Sequence, residues 1–140
     1  MSVLKRGLLV AIFVAQLVAL TPIGWTQTPR SLQSRILKAD PERYHSVQDA
    51  KDWKNPYLIV RRDGIEIVGL TAVGQAIPVD SIPGLLKGSP DSAWPYGLVV
   101  AVQDIGLVSE GDLPRIEANR KRLLMLLKRL GIAVDLWPSA

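Results

Sequence analysis

The chain has 140 residues, 48% of them apolar and 21% charged, with a formal net charge of +4, which describes one globular domain with one core. It has no cysteine, which excludes disulfides, thiolate metal sites, cysteine nucleophiles and a lipoprotein acylation site. His45 is the sole histidine, so a multi-imidazole metal site is excluded too, any divalent site would have to be carboxylate, and neither a metal nor a cofactor is expected.

Lys5 and Arg6 precede an apolar run from Leu8 to Leu20, broken only by Gln16 and ended by Thr21-Pro22. That layout reads as a secretory signal over residues 1 to 26, because the run is shorter than the roughly 20 residues needed to cross a bilayer. No Ala-x-Ala triplet precedes Gln27, so the alternative is an uncleaved inner-membrane anchor over residues 7 to 25. In both cases the bulk of the chain is exported, to the periplasm or beyond it. Cleavage would remove Lys5 and Arg6 and no acid, lowering the charge from +4 to +2. So mild a charge gives no general drive toward nucleic acid, and no nucleic-acid partner is expected.

Residues 27 to 56 are polar and punctuated by Pro29, Pro41 and Pro56, which reads as a linker with short helical turns. Asp40 is placed to cap a turn that has Pro41 in its first position, and Ser46-Val-Gln-Asp49 resembles a capping box. His45, Ser46 and Asp49 invite a serine-hydrolase reading, which fails on geometry. Neighbouring side chains on a helix diverge by about 100°, and no Gly-x-Ser-x-Gly elbow occurs in the chain.

The domain proper is expected over residues 57 to 138. Tyr57 to Arg62 and Ile65 to Leu70 flank Asp63-Gly64, predicting a β-hairpin with a type I′ turn at that pair. Ile65 and Ile67 should share one face, Glu66 and Val68 the other, with Arg61, Arg62 and Asp63 solvated at the tip. Thr71 to Val79 is a short edge strand or a loop, and Asp80-Ser81 begins a short helix that Gly88 ends, with Val79, Ile82, Leu85 and Leu86 apolar. The unbroken run from Leu98 to Val102, bracketed by Gly97 and Gly106, predicts a central strand buried on both faces. A long helix follows over about 113 to 130, with Asp112 as N-cap and Gly131 as the left-handed residue past its end. Ile116, Leu123, Leu127 and Leu130 form its core stripe, widened by Leu113, Leu124 and Leu126. Ile132 to Trp137 is the last strand.

The expected fold is therefore α+β, a sheet of about four strands in the order ββαβαβ, with two helices on one face and the N-terminal helix preceding it. The central strand, long helix and last strand make a βαβ unit, so those two strands should be parallel. Asn119 and Arg120 interrupt the apolar side of the long helix and need polar partners at the far end of the central strand or in the loop beyond, with Asp104 and Glu110 nearest in sequence.

This order of features resembles the periplasmic domain of the ExbD and TolR biopolymer-transport accessory proteins over residues 57 to 137. Asp63-Gly64, Leu98 to Val102 and Leu130-Gly-Ile-Ala-Val134 carry the resemblance. It implies the same fold and an envelope location. That family's membrane helix contains an aspartate used in proton-driven coupling, whereas residues 7 to 25 here contain no acid, so proton-motive function is not implied.

Three functional readings follow. In the first, the chain is an exported, non-catalytic domain that binds another envelope protein or itself, and no catalytic residue is assigned. The second is a small-molecule or hydrolytic site at the carboxyl end of the central strand, where Gln103, Asp104 and Arg120 are the candidates. The third is an anionic-surface binder using Arg115, Lys121, Arg122, Lys128 and Arg129 on the outer face of the long helix. A membrane is a partner only if the N-terminal segment stays uncleaved.

Overall fold

The fold is that of a computed structural model, which describes residues 30–139. The signal or anchor expected over residues 1 to 26 lies outside the described residues. Among the described residues no helix is long and apolar enough to cross a membrane.

From Ser31 onward the chain forms one compact unit. Its elements are α1 (Leu32–Arg35), α2 (Pro41–Tyr44), β1 (Tyr57–Arg61), β2 (Gly64–Ile67), α3 (Ile82–Lys87), β3 (Val99–Asp104), α4 (Leu113–Arg129) and β4 (Ala133–Trp137). The four strands make one mixed sheet in the order β2-β1-β3-β4. β1 and β2 are antiparallel, while β3 is parallel to both β1 and β4, as the βαβ reading requires.

Alternation along the strands sends two sets of side chains in opposite directions. Leu58 and Val60, Ile65 and Ile67, and Val100 and Val102 pack with Ile82 and Leu86 of α3 and with Ile116, Leu123 and Leu127 of α4. Both helices therefore share one face of the sheet. Leu85, expected on the apolar side of α3, is instead 42% exposed. The C-terminus of α4 closes in a Schellman arrangement: Gly131 N–H donates to Lys128 O and Ile132 N–H to Leu127 O, with Gly131 at φ 70°.

The opposite face is covered by the segment read as a linker. Trp53, Tyr57, Tyr96, Val99 and Ala101 form a second core there, against Tyr44, Val47 and Trp137. Trp53 meets Tyr44, Tyr96 and Trp137 at ring separations of 5.6, 5.1 and 5.7 Å. Leu32 and Ile36 enter the helix-side core instead. From Ser31 on, then, residues 27 to 56 are folded structure, since a β3 buried on both faces needs a second layer that α3 and α4 do not supply.

Several local expectations change for identifiable reasons. Arg61 pairs with Gly64, so Arg62 and Asp63 make the hairpin turn, and neither has a positive φ. The type I′ turn at Asp63-Gly64 is not formed. Gly64 opens β2 at φ 143°, where a Cβ would overlap the carbonyl of Ile77. That close approach lets Ile65 and Ile77 exchange two hydrogen bonds of 2.8 Å, which cover the outer edge of β2.

Asp112 does not cap α4 through its side chain, because a 3₁₀ turn, Glu110–Asp112, leads into the helix and holds Asp112 in the helical region. Its carboxylate lies 3.5 Å from Arg62. Asp40 does cap α2, accepting from Glu42 N–H at 3.2 Å. Ser46 opens no helix; Asp49 accepts from Lys51 N–H, and His45 Nδ1 lies 3.0 Å from Pro41 O.

Candidate functional site

Asp104 is the last residue of β3 and shares the helix-side parity of Val100 and Val102, which points it at α4. Arg120 meets it there, donating from Nη1 to Asp104 Oδ2. The partner expected for the interrupted helix face is thus the end of the central strand. Asn119, one residue earlier, donates from Nδ2 to Arg61 O at 2.8 Å and Arg62 O at 2.9 Å, tying α4 to the end of β1. Glu110 takes no part in either contact.

A hollow of about 300 Å³ adjoins the Asp104–Arg120 pair, walled by Ile105, Val108, Leu113 and Ile116. Asp104 Oδ1 is buried and accepts no hydrogen bond among the described residues. Gln103 is not part of this place. Strand alternation turns it to the other face, where Nε2 donates to Pro138 O at 2.7 Å. Asp104 and Arg120 come together while Gln103 stands apart, and the lining of the hollow holds no histidine and no serine except Ser139.

The five basic residues of the outer helix face, Arg115, Lys121, Arg122, Lys128 and Arg129, are all exposed. Arg122 is held by Asp80 at 2.8 Å, so one of the five is neutralised locally.

Three anchors on the aromatic side go beyond the sequence-based expectations, and one corrects them: Arg61, expected to be solvated at the hairpin tip, is paired with the buried Glu66. Asn55 is buried; its Nδ2 donates to Gly97 O and Val99 O, both at 2.8 Å, and its Oδ1 accepts from Tyr96 N–H at 2.9 Å. Glu66, also buried, accepts from Arg61 Nε at 2.6 Å and from Gly74 N–H at 2.9 Å. Gly97 sits at φ 81° with the backbone of Lys38 where a Cβ would be, and Leu98 N–H donates to Leu37 O at 2.9 Å. The one sequence signal for Asn55 is its place before Pro56, which restricts its backbone to extended geometry.

Burial raises the phenol of Tyr57 above its ordinary range, with the Glu66 charge adding to it. Burial acts in the same direction on Tyr44, helped by Asp135 and Asp40.

Among the described residues, two further surfaces are open. One is the outer edge of β4. Ala133 N–H donates to Leu98 O, so alternation along a parallel strand turns the backbone groups of Val134 and Leu136 outward. Neither has a backbone partner on that side among the described residues. Beside this edge, His45, Val47 and Gln48 face Asp135 to Pro138 across a hollow of about 420 Å³. The other open surface is an apolar groove between α3 and the turn that follows β2.

Comparison with family models, with curated proteins and with solved structures finds no match to this chain.

Proposed function

We propose that the chain is an exported, non-catalytic binding domain that takes an extended strand of another envelope protein onto the outer edge of β4. The observation that carries this reading is the edge itself. β2 has its outer side bonded to Ile77, whereas β4 presents outward-facing backbone groups beside Leu136, which is 63% exposed. An edge of this kind is a ready template for strand addition, in which main-chain hydrogen bonds supply affinity and flanking hollows supply specificity. The hollow formed with His45, Val47 and Gln48 is suited to that second role. The order of elements that resembles the ExbD and TolR domains supports an envelope location, as does the apolar N-terminal run after Lys5 and Arg6.

Two carboxylates are held in structural contacts, Asp104 by Arg120 and Glu66 by Arg61, which suits a non-catalytic role for both.

The test is a photo-crosslinking residue placed at Gln48 in cells that export the chain, alone and combined with Leu136→Pro. Proline at an outward-facing position of an edge strand removes a donor without breaking the ladder. A discrete protein adduct that disappears with Leu136→Pro is expected; an adduct indifferent to that change, or none, counts against the reading. Export is checked separately. An Ala15→Glu change in the apolar run should retain the protein in the cytoplasm, and unchanged fractionation would remove the signal reading.

A further inference from the structure

The groove beside α3 lies apart from the β4 edge, and its inference does not rest on the reading above. It has a volume of about 560 Å³, within the roughly 300–1,000 Å³ typical of small-ligand sites. Ile67, Val68 and Leu70 line one side and Leu85 and Leu86 the other. Val68, Leu70 and Leu85 are 48%, 64% and 42% exposed, so three large apolar side chains line one concavity that no described residue covers.

Gly84 is the second observation. Glycine inside a helix is unfavourable relative to alanine, and here it has no internal packing reason. A Cβ at Gly84 would meet no atom within 4 Å, and its backbone is ordinary helix. What the missing side chain leaves free is room over the groove that Gly84 lines.

The polar groups of the lining decide what kind of molecule fits. Asn55 has its amide fully engaged with Gly97, Val99 and Tyr96. Ser89 Oγ donates to Leu86 O and accepts from Trp94 Nε1 at 2.9 Å. A polypeptide laid in the groove would bury backbone N–H and C=O groups against lining side chains whose donors, Lys54 apart, are already engaged. A hydrocarbon chain carries no such requirement. Lys54 is the only charged residue of the lining, exposed and in no ion pair among the described residues.

We infer that this groove binds a free long-chain carboxylate, with its acyl chain between α3 and the turn after β2 and its head group at the Lys54 ammonium. The test uses the purified full chain, palmitate bearing a diazirine in its chain, ultraviolet activation and peptide mapping. Label is expected within residues 67–70 and 84–90. Gly84→Leu fills the groove from a position where the added atoms meet open space, and it should abolish labelling while leaving the melting temperature unchanged or higher. Leu70→Glu, at an already exposed site, is a second variant expected to abolish it. Lys54→Glu should weaken labelling by the carboxylate and strengthen labelling by the matching alkyl trimethylammonium probe. The inference is overturned by label that maps elsewhere, or that survives Gly84→Leu and Leu70→Glu. Equal labelling by the anionic and cationic probes overturns it, as does labelling only in the presence of anionic vesicles. A crosslink between two copies of the chain through residues 67–90 would assign the groove to self-association instead.

Discussion

Asn55 joins three backbone groups, the carbonyls of Gly97 and Val99 and the amide of Tyr96; of these, Gly97 O also accepts from Val99 N–H. No other residue type of that size offers two donors and an acceptor in one plane. Asn55→Ala leaves Val99 O and Tyr96 N–H without a partner, so it should cost about 3 kcal/mol, read as a lower chemical-denaturation midpoint with an unchanged slope. A midpoint that does not move would mean that water replaces the amide. Tyr57 makes a pH-dependent contribution. Its folded-state pKa is raised by burial, so the stability it adds is fully present below its ordinary value of about 10 and is lost as pH rises through the higher folded value. The fall in stability above that pH should be shallower in Tyr57→Phe, measured as the denaturation midpoint against pH; an identical slope would assign the alkaline loss to other groups.

Among the elements, α4 does the most to close the helix-side core. Leu123 and Leu127 are fully buried, and Gln33 of α1 donates to Leu130 O at 3.1 Å, adding to the Schellman closure. Leu127→Ala leaves a cavity between α4 and the sheet and should cost roughly 2 to 5 kcal/mol; an unchanged midpoint would remove Leu127 from the core. The polar interruptions of the same helix act as register pins. Asn119 reaches the carbonyls that end β1 and Arg120 the carboxylate that ends β3, so the helix is held both along its axis and in rotation. On the other side of the sheet, the aromatic cluster around Trp53 takes the part that a further helix would play in a doubly wound fold.

At the scale of the whole molecule, the sheet has, among the described residues, one sealed edge and one open edge. Ile77 covers β2, which is possible because Gly64 lets two backbones approach without a Cβ between them. β4 has no such cover among the described residues, and Pro138 ends it before it lengthens into a more general aggregation edge. The two open surfaces have different characters: at β4, backbone hydrogen-bonding capacity beside Leu136; at α3, an apolar concavity with a single cation. Strand addition and acyl-chain binding are therefore separable by variants that touch only one of them, Leu136→Pro and Gly84→Leu.

Periodicity alone determined the elements whose burial is uniform along their length. Leu98 to Val102 is apolar at every position because both faces of β3 are covered, and the stripe of Ile116, Leu123 and Leu127 marks the one side of α4 that meets the sheet. Gly131 was legible because a left-handed residue at a helix end is a local requirement. The pairing of Arg120 with Asp104 was legible as well, since a polar group on a buried helix face must find a partner and the βαβ connection brings the strand end nearby. Only the tertiary structure decided the rest. Residues 31 to 56 have no sustained period, so their role as the second layer depends on a few long-range contacts through Trp53, Asn55 and Leu37. Gly64 reads as a turn glycine until the chain returning at Ile77 is seen against it. Open surfaces are the least legible of all: an apolar side chain has the same sequence signature whether a neighbour covers it, as at Leu86, or none does, as at Leu70.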